Sequence, residues 1–172
     1  MESHAHVEPG DTFGRNVGIL VAVIALVLST FTILAHRAHT DTIISANKAA
    51  NAWSHYQAKR IRAYQAEMNG ELIKLLAANN PASAAVLEDL GKQDKKYESD
   101  LDKIKEESES HEHDEGIQHK QATLYDLAEG LLELAMILAS LYFIAHKKFF
   151  PVMGIFMGLA GALIGVIGLL VR

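Results

Sequence analysis

Three carboxylates, Asp126, Glu129 and Glu133, stand at i, i+3 and i+7, which lines them along one face of a helix. The stretch they open, LAEGLLELAMILASLYFIA from Leu127 to Ala145, is otherwise apolar. An ionised acid in hydrocarbon is expensive, so each one needs a cation, a hydrogen-bond donor, a cavity or a proton. Arg37 and Arg172 are the expected charge partners of Asp126 and Glu129. Ser29 or Thr30 would serve Glu133, which lies about 9 Å into a span that begins at Leu127. An ion or proton pathway through Glu133 is the functional alternative to plain charge pairing.

A second cluster, His111-Glu112-His113-Asp114-Glu115 with His119 beyond it, has the residue types of a metal tract, and on a helix His111, Glu115 and His119 would stack at i, i+4 and i+8. It lacks the spacing of a defined zinc motif such as H-E-x-x-H. His111, His113 and His119 are therefore weak ligand candidates on a solvated charge run, and divalent-metal binding is a lesser alternative. The chain has no cysteine, which removes thiolate ligands and thiol nucleophiles. It shows no nucleophile–base pair and no glycine-rich phosphate loop. Lys59, Arg60 and Arg62 are too few to argue for nucleic acid. The expectation is a protein that is not an enzyme, with no catalytic residue, no metal and no cofactor.

The strongest pattern is structural. Gly154, Gly158, Gly161, Gly165 and Gly168 recur at steps of four and three, which places them on one stripe of a helix as a glycine zipper. Small residues let helix backbones approach closely in lipid, where no hydrophobic effect drives helices together. The stripe reads as a helix-packing face between copies of the chain. Packing on the chain's own spans, where Ala128, Ala135 and Ala139 offer a second small face, is the simpler alternative.

These groups need elements to hold them, and the hydropathy supplies three. The segment 17–35 is uncharged and long enough to cross a bilayer core of about 30 Å. Its apolar run exceeds the usual signal-peptide core and follows an acidic start (Glu2, Glu8, Asp11), so it reads as an uncleaved anchor. The segment 149–171 is equally free of charge, with Pro151 in its first turn. Tyr142, Phe143, Phe149 and Phe150 lie where boundary aromatics are expected. The segment 127–145 crosses if its acids are satisfied. Only His146, Lys147 and Lys148 separate it from the last span, so the two must run antiparallel.

Residues 1–16 form a polar tail. Between the first two spans, 36–126 is polar and predicts a helical hairpin outside the membrane. Asn79-Asn80-Pro81 breaks two arms of nearly equal length, so the tip falls near 79–82, and each arm would reach roughly 60 Å if helical. The first arm carries Ile43, Ala46, Ala50, Trp53, Gln57, Ile61, Tyr64, Met68, Leu72 and Leu75 at helical steps. In that register Leu72 meets Leu90, Tyr64 meets Tyr97 and Ile61 meets Leu101. The alanine-rich foot of the arm, near Ala46 to Trp53, faces only KEESESHEHDEGIQHK and is left without a partner in its own chain. The fold class is all-α: three transmembrane helices with a long antiparallel, coiled-coil-like stalk between the first and second.

The segment NKAANAWSHYQAKRIR, Asn47 to Arg62, set after an N-terminal span and before two C-terminal ones, resembles a bacterial membrane-protein family known as domain of unknown function 4337. The resemblance implies a multi-pass protein of the bacterial inner membrane with three spans, and it implies no activity or site residue. The residues thus point to a non-enzymatic membrane assembly or accessory protein. It would oligomerise through the glycine stripe, or serve as a subunit of a larger membrane complex, with the lipid bilayer as its other partner. Charges beside the spans conflict: Lys147 and Lys148 argue for one orientation, the acidic entry and Arg37 for the other. The balance tips to a cytoplasmic hairpin.

Overall fold

The computed structural model describes residues 12–77 and 80–171. Among these residues four helices follow one another: α1 (Thr12–Leu76), α2 (Pro81–Ser140), α3 (Tyr142–Ala145) and α4 (Phe149–Leu170). No strand occurs among the described residues. Three helical stretches, in α1, in α2 with α3, and in α4, are long and apolar enough to cross a membrane. Arg172 and Asn79 lie outside the described residues, as does the tail up to Asp11, while Thr12 already belongs to α1.

The punctuation follows from local chemistry. Proline opens α2 at its first position, where a missing N–H is harmless. Asn80 precedes it and accepts the Ala82 N–H on Oδ1 at 3.0 Å, which satisfies one of the orphan donors of the first turn. The α3 helix stops at His146, whose φ of 52° is the left-handed conformation that turns a chain out of a helix. Its N–H still reaches the Tyr142 carbonyl at 2.8 Å. Lys147 and Lys148 complete the turn into α4, where Pro151 sits buried in the first turn.

The chain divides into two compact units. One is built from Met1–Asp41 with Ile117–Arg172, the other is Thr42–Gly116, and α1 and α2 contribute to both.

In the second unit, covered positions of α1 include Thr42, Ser45, Ala49, Ala52, Tyr56, Lys59, Ala63, Ala66, Gly70 and Ile73. These alternate steps of three and four, the period of a coiled-coil seam. On α2 the covered set includes Leu87, Leu90, Asp94, Tyr97, Leu101, Ile104, Ser108 and His111, with the same period. Toward the far end of the unit the small Ala66 and Gly70 of α1 and Leu87 and Leu90 of α2 line one hollow of about 220 Å³. A methyl group on Gly70 would lie 4.0 Å from Leu87 Cδ2. Lys59 pairs with Asp100, and the Trp53 indole N–H donates to Glu112 at 2.7 Å.

The expected seam is corrected in two respects. Ile61, Tyr64, Met68, Leu72 and Leu75 are exposed, not inward. The predicted partners Leu90, Tyr97 and Leu101 are partly covered, and Leu90 lines a hollow with Ala66 and Gly70. The foot of the first arm is also partnered within its own unit: Ser45 and Ala49 are buried, and Trp53 reaches Glu112.

Candidate functional site

In the first unit the five glycines of α4 are all buried. They meet the small face of α2 and two side chains of α1. A methyl group at Gly154 would come within 2.8 Å of the Ala135 carbonyl oxygen and 3.2 Å of Ala139 Cβ. At Gly161 it would stand 3.0 Å from the Ala128 carbonyl oxygen and 3.1 Å from Leu131 Cβ. At Gly168 it would press on the Tyr125 ring at 2.7 Å, and at Gly165 it would overlap Phe31. Gly158 differs, since its nearest neighbours, Ala135 Cβ at 3.6 Å and Ile24 Cδ1 at 3.8 Å, leave ordinary room. Glycine weakens a helix by about 1 kcal/mol against alanine, so four of the five positions are held by close approach and not by propensity.

Ala128, Ala135 and Ala139 on α2 are fully covered, and Leu132 between them is 1% exposed. Ile24, Phe31 and Ala35 of α1 join the same core. The surface expected to join copies is therefore occupied by the chain's own helices. The small face of α2 noted in the sequence is its partner.

Both ends of this unit are fastened. At one, Gln121 Nε2 donates to the Val171 carbonyl at 2.6 Å, satisfying an acceptor that α4 leaves open at its C-terminus. Phe31 and Tyr125 lie beside each other there, ring centres 6.3 Å apart. At the other end Phe13 meets Tyr142 edge-on at 4.9 Å, and Lys148 Nζ stands 5.1 Å over the Phe13 ring.

The carboxylates divide into three situations. Asp126 accepts from His39 Nε2, 3.0 Å from each oxygen, and both side chains are about half exposed. Glu129 is half-buried and accepts the Thr32 hydroxyl at 2.8 Å. Glu133 is exposed. The expected pairing with Arg37 is corrected: Arg37 is two residues from His39, which turns it to another side of α1, where it lines an open hollow with Ile33, His36, Thr40 and Asp41. Arg172 lies outside the described residues. Thr30, expected beside Glu133, donates to the Leu26 carbonyl of its own helix at 3.0 Å. The sequence reading missed Thr32 and His39, although their spacing of seven puts them on one face of α1.

An apolar hollow of about 180 Å³ lies between α1 and α4, lined by Leu20, Val23, Ile24, Val27, Leu132, Ile155, Gly158, Leu159 and Ala162. It contains no titratable group. The histidine candidates do not converge. His111 is partly covered and 3.8 Å from Glu107, while His113 and His119 are exposed. No group of three histidine, aspartate or glutamate side chains able to hold a metal ion occurs among the described residues.

These features define a helical protein with three potential membrane crossings among its described residues, two of them joined through a glycine–alanine seam. The chain belongs to the family described as domain of unknown function 4337, whose profile matches residues 13–171. No curated protein and no solved structure matches it.

Proposed function

We propose that this is a non-enzymatic membrane protein that works by association: the first unit crosses the bilayer three times, and Thr42–Gly116 stands outside it as an antiparallel two-helix stalk. The observation that carries the reading is the closed glycine seam. Glycines at Gly154, Gly161, Gly165 and Gly168 pack on α1 and α2 of the same chain, which makes the three helices a self-contained anchor. Among the described residues, the stalk and the outer faces of the spans remain available to other molecules. The proposed setting is a bacterial inner membrane with the stalk on the cytoplasmic side, and the proposed assembly is a homo-oligomer or an accessory subunit of a larger complex. Extraction of the full chain in a mild detergent, followed by mass measurement, tests it. A protein mass above the 18.8 kDa of one chain is expected; a single chain at every concentration would contradict the reading.

One observation favours a second reading. Glu133 sits on an exposed face of the apolar part of α2, where an acid in lipid needs a partner or a proton to exchange. If Glu133 serves an ion or proton path between copies, liposomes bearing the protein conduct and those bearing Glu133→Gln do not. Equal flux in both ends this reading.

A further inference from the structure

We infer that the outer face of α1 in the second unit is a contact surface for a second copy of this chain, the two stalks lying parallel and level. The inference rests on the reading of Thr42–Gly116 as a stalk anchored in the membrane. Ile61, Tyr64, Met68, Leu72 and Leu75 are 58%, 53%, 58%, 48% and 80% exposed. Their steps of three, four, four and three repeat over eleven residues, which keeps them in line on a nearly straight helix and passes over Glu71. The same helix turns Ala63, Ala66 and Gly70 inward, so its large apolar residues are the ones left to water. Contiguous exposed apolar side chains at helical spacing mark an interaction surface.

Area and charge favour a second copy. Each of the five side chains leaves on the order of 100 Å² open, so a symmetric pair would cover roughly 1,000 Å², the lower bound of a specific interface. Nearest the stripe, one edge carries Arg60 and Glu71, with Glu67 and Lys74 further round; the other carries Gln65 and Leu76, with Ala58, Asn69 and then Arg62 further round. About a twofold axis parallel to the helices, Arg60 and Glu71 of each copy meet the uncharged Gln65 and Leu76 edge of its partner, so the charges nearest the seam are not opposed by like ones. Anchoring in one membrane also holds the copies level and raises their effective concentration.

The native chain has no cysteine, so a single one reports cleanly. Met68→Cys and Leu72→Cys, with Ser99→Cys on the exposed side of α2 as control, are placed in the full chain, reconstituted in liposomes and treated with a short bismaleimide. Cross-linked dimer is expected at Met68 and Leu72 and not at Ser99. Adding Met68→Asp to Leu72→Cys lowers the dimer yield by about tenfold or more, because a carboxylate is forced into the seam; circular dichroism checks that helix content is unchanged. Met68→Cys that reacts with a water-soluble maleimide but never cross-links overturns the inference and leaves the stalk standing. Protection from that reagent without cross-linking overturns both, since the stripe then lies in lipid. Equal cross-linking at Ser99 also overturns it.

Discussion

Gly154 lies so close to Ala135 that a single methyl group on the glycine would reach 2.8 Å from the Ala135 carbonyl oxygen. A backbone oxygen inside a helix cannot swing aside as a side chain can, so the contact sets how near α4 approaches α2. The seam thus fixes the spacing of α2 and α4, which are joined through the short α3 and the turn of His146, Lys147 and Lys148.

Substitution along the stripe separates this contact from helix propensity. Gly154→Ala and Gly165→Ala should each destabilise the protein by about 1–3 kcal/mol through overpacking. Gly158→Ala, which finds its neighbours at 3.6 Å and beyond, should be neutral or stabilising by up to about 1 kcal/mol. Unfolding midpoints of the detergent-solubilised variants check the order; an equal loss at all three positions would contradict it.

The Thr32–Glu129 hydrogen bond ties α1 to α2 inside the first unit. Thr32→Val keeps the shape of the side chain and removes the donor, leaving a half-buried carboxylate short of a partner at a cost of about 1–3 kcal/mol. Removing the acid as well, in Thr32→Val with Glu129→Leu, should restore most of that loss. Thermal unfolding of the unsubstituted protein and the two variants measures it, and a double variant no better than the single would reject the pairing.

In the second unit the Lys59 ammonium holds Asp100 below the usual carboxylate value of 3.8, first through their hydrogen bond. A depressed folded-state pKa stabilises the native protein above the unfolded value and loses that contribution as pH falls through the folded one. Acidification below about pH 4 should therefore destabilise the chain. Asp100→Asn should flatten part of this dependence and leave the neutral-pH helix content unchanged. Acid titrations of both proteins followed by circular dichroism make the comparison; parallel curves would contradict the assignment.

The all-α character, the three apolar segments and the break before Pro81 were legible because each depends on local composition or on one residue's backbone preference. So was the glycine stripe, since steps of four and three name a face whatever meets it. What meets it was not legible: periodicity specifies which residues share a side, not whose surface lies opposite. The two polar links show the same limit. Thr32 and Glu129 are 97 residues apart, and His39 and Asp126 are 87 apart, so no local spacing joins them. The stalk seam was misread for another reason. Ile61, Tyr64, Met68 and Leu72 recur at helical steps and carry more apolar surface than Ala63, Ala66 and Gly70, which recur at helical steps as well, so periodicity did not decide between the two faces. The covered face of α1 is instead the one that carries Ala63, Ala66 and Gly70, with Leu87 and Leu90 of α2 beside the last two.

The central claim is that the first unit spans the bilayer while Thr42–Gly116 stands in water. Single cysteines at Ser99, Ile137 and Leu163, all exposed on the protein surface, test it most directly when the chain is embedded in membrane vesicles and treated with a water-soluble maleimide on both sides. The account predicts rapid labelling at Ser99 and protection at Ile137 and Leu163 until detergent is added. Labelling at Leu163 in intact membranes, or protection at Ser99, would contradict it.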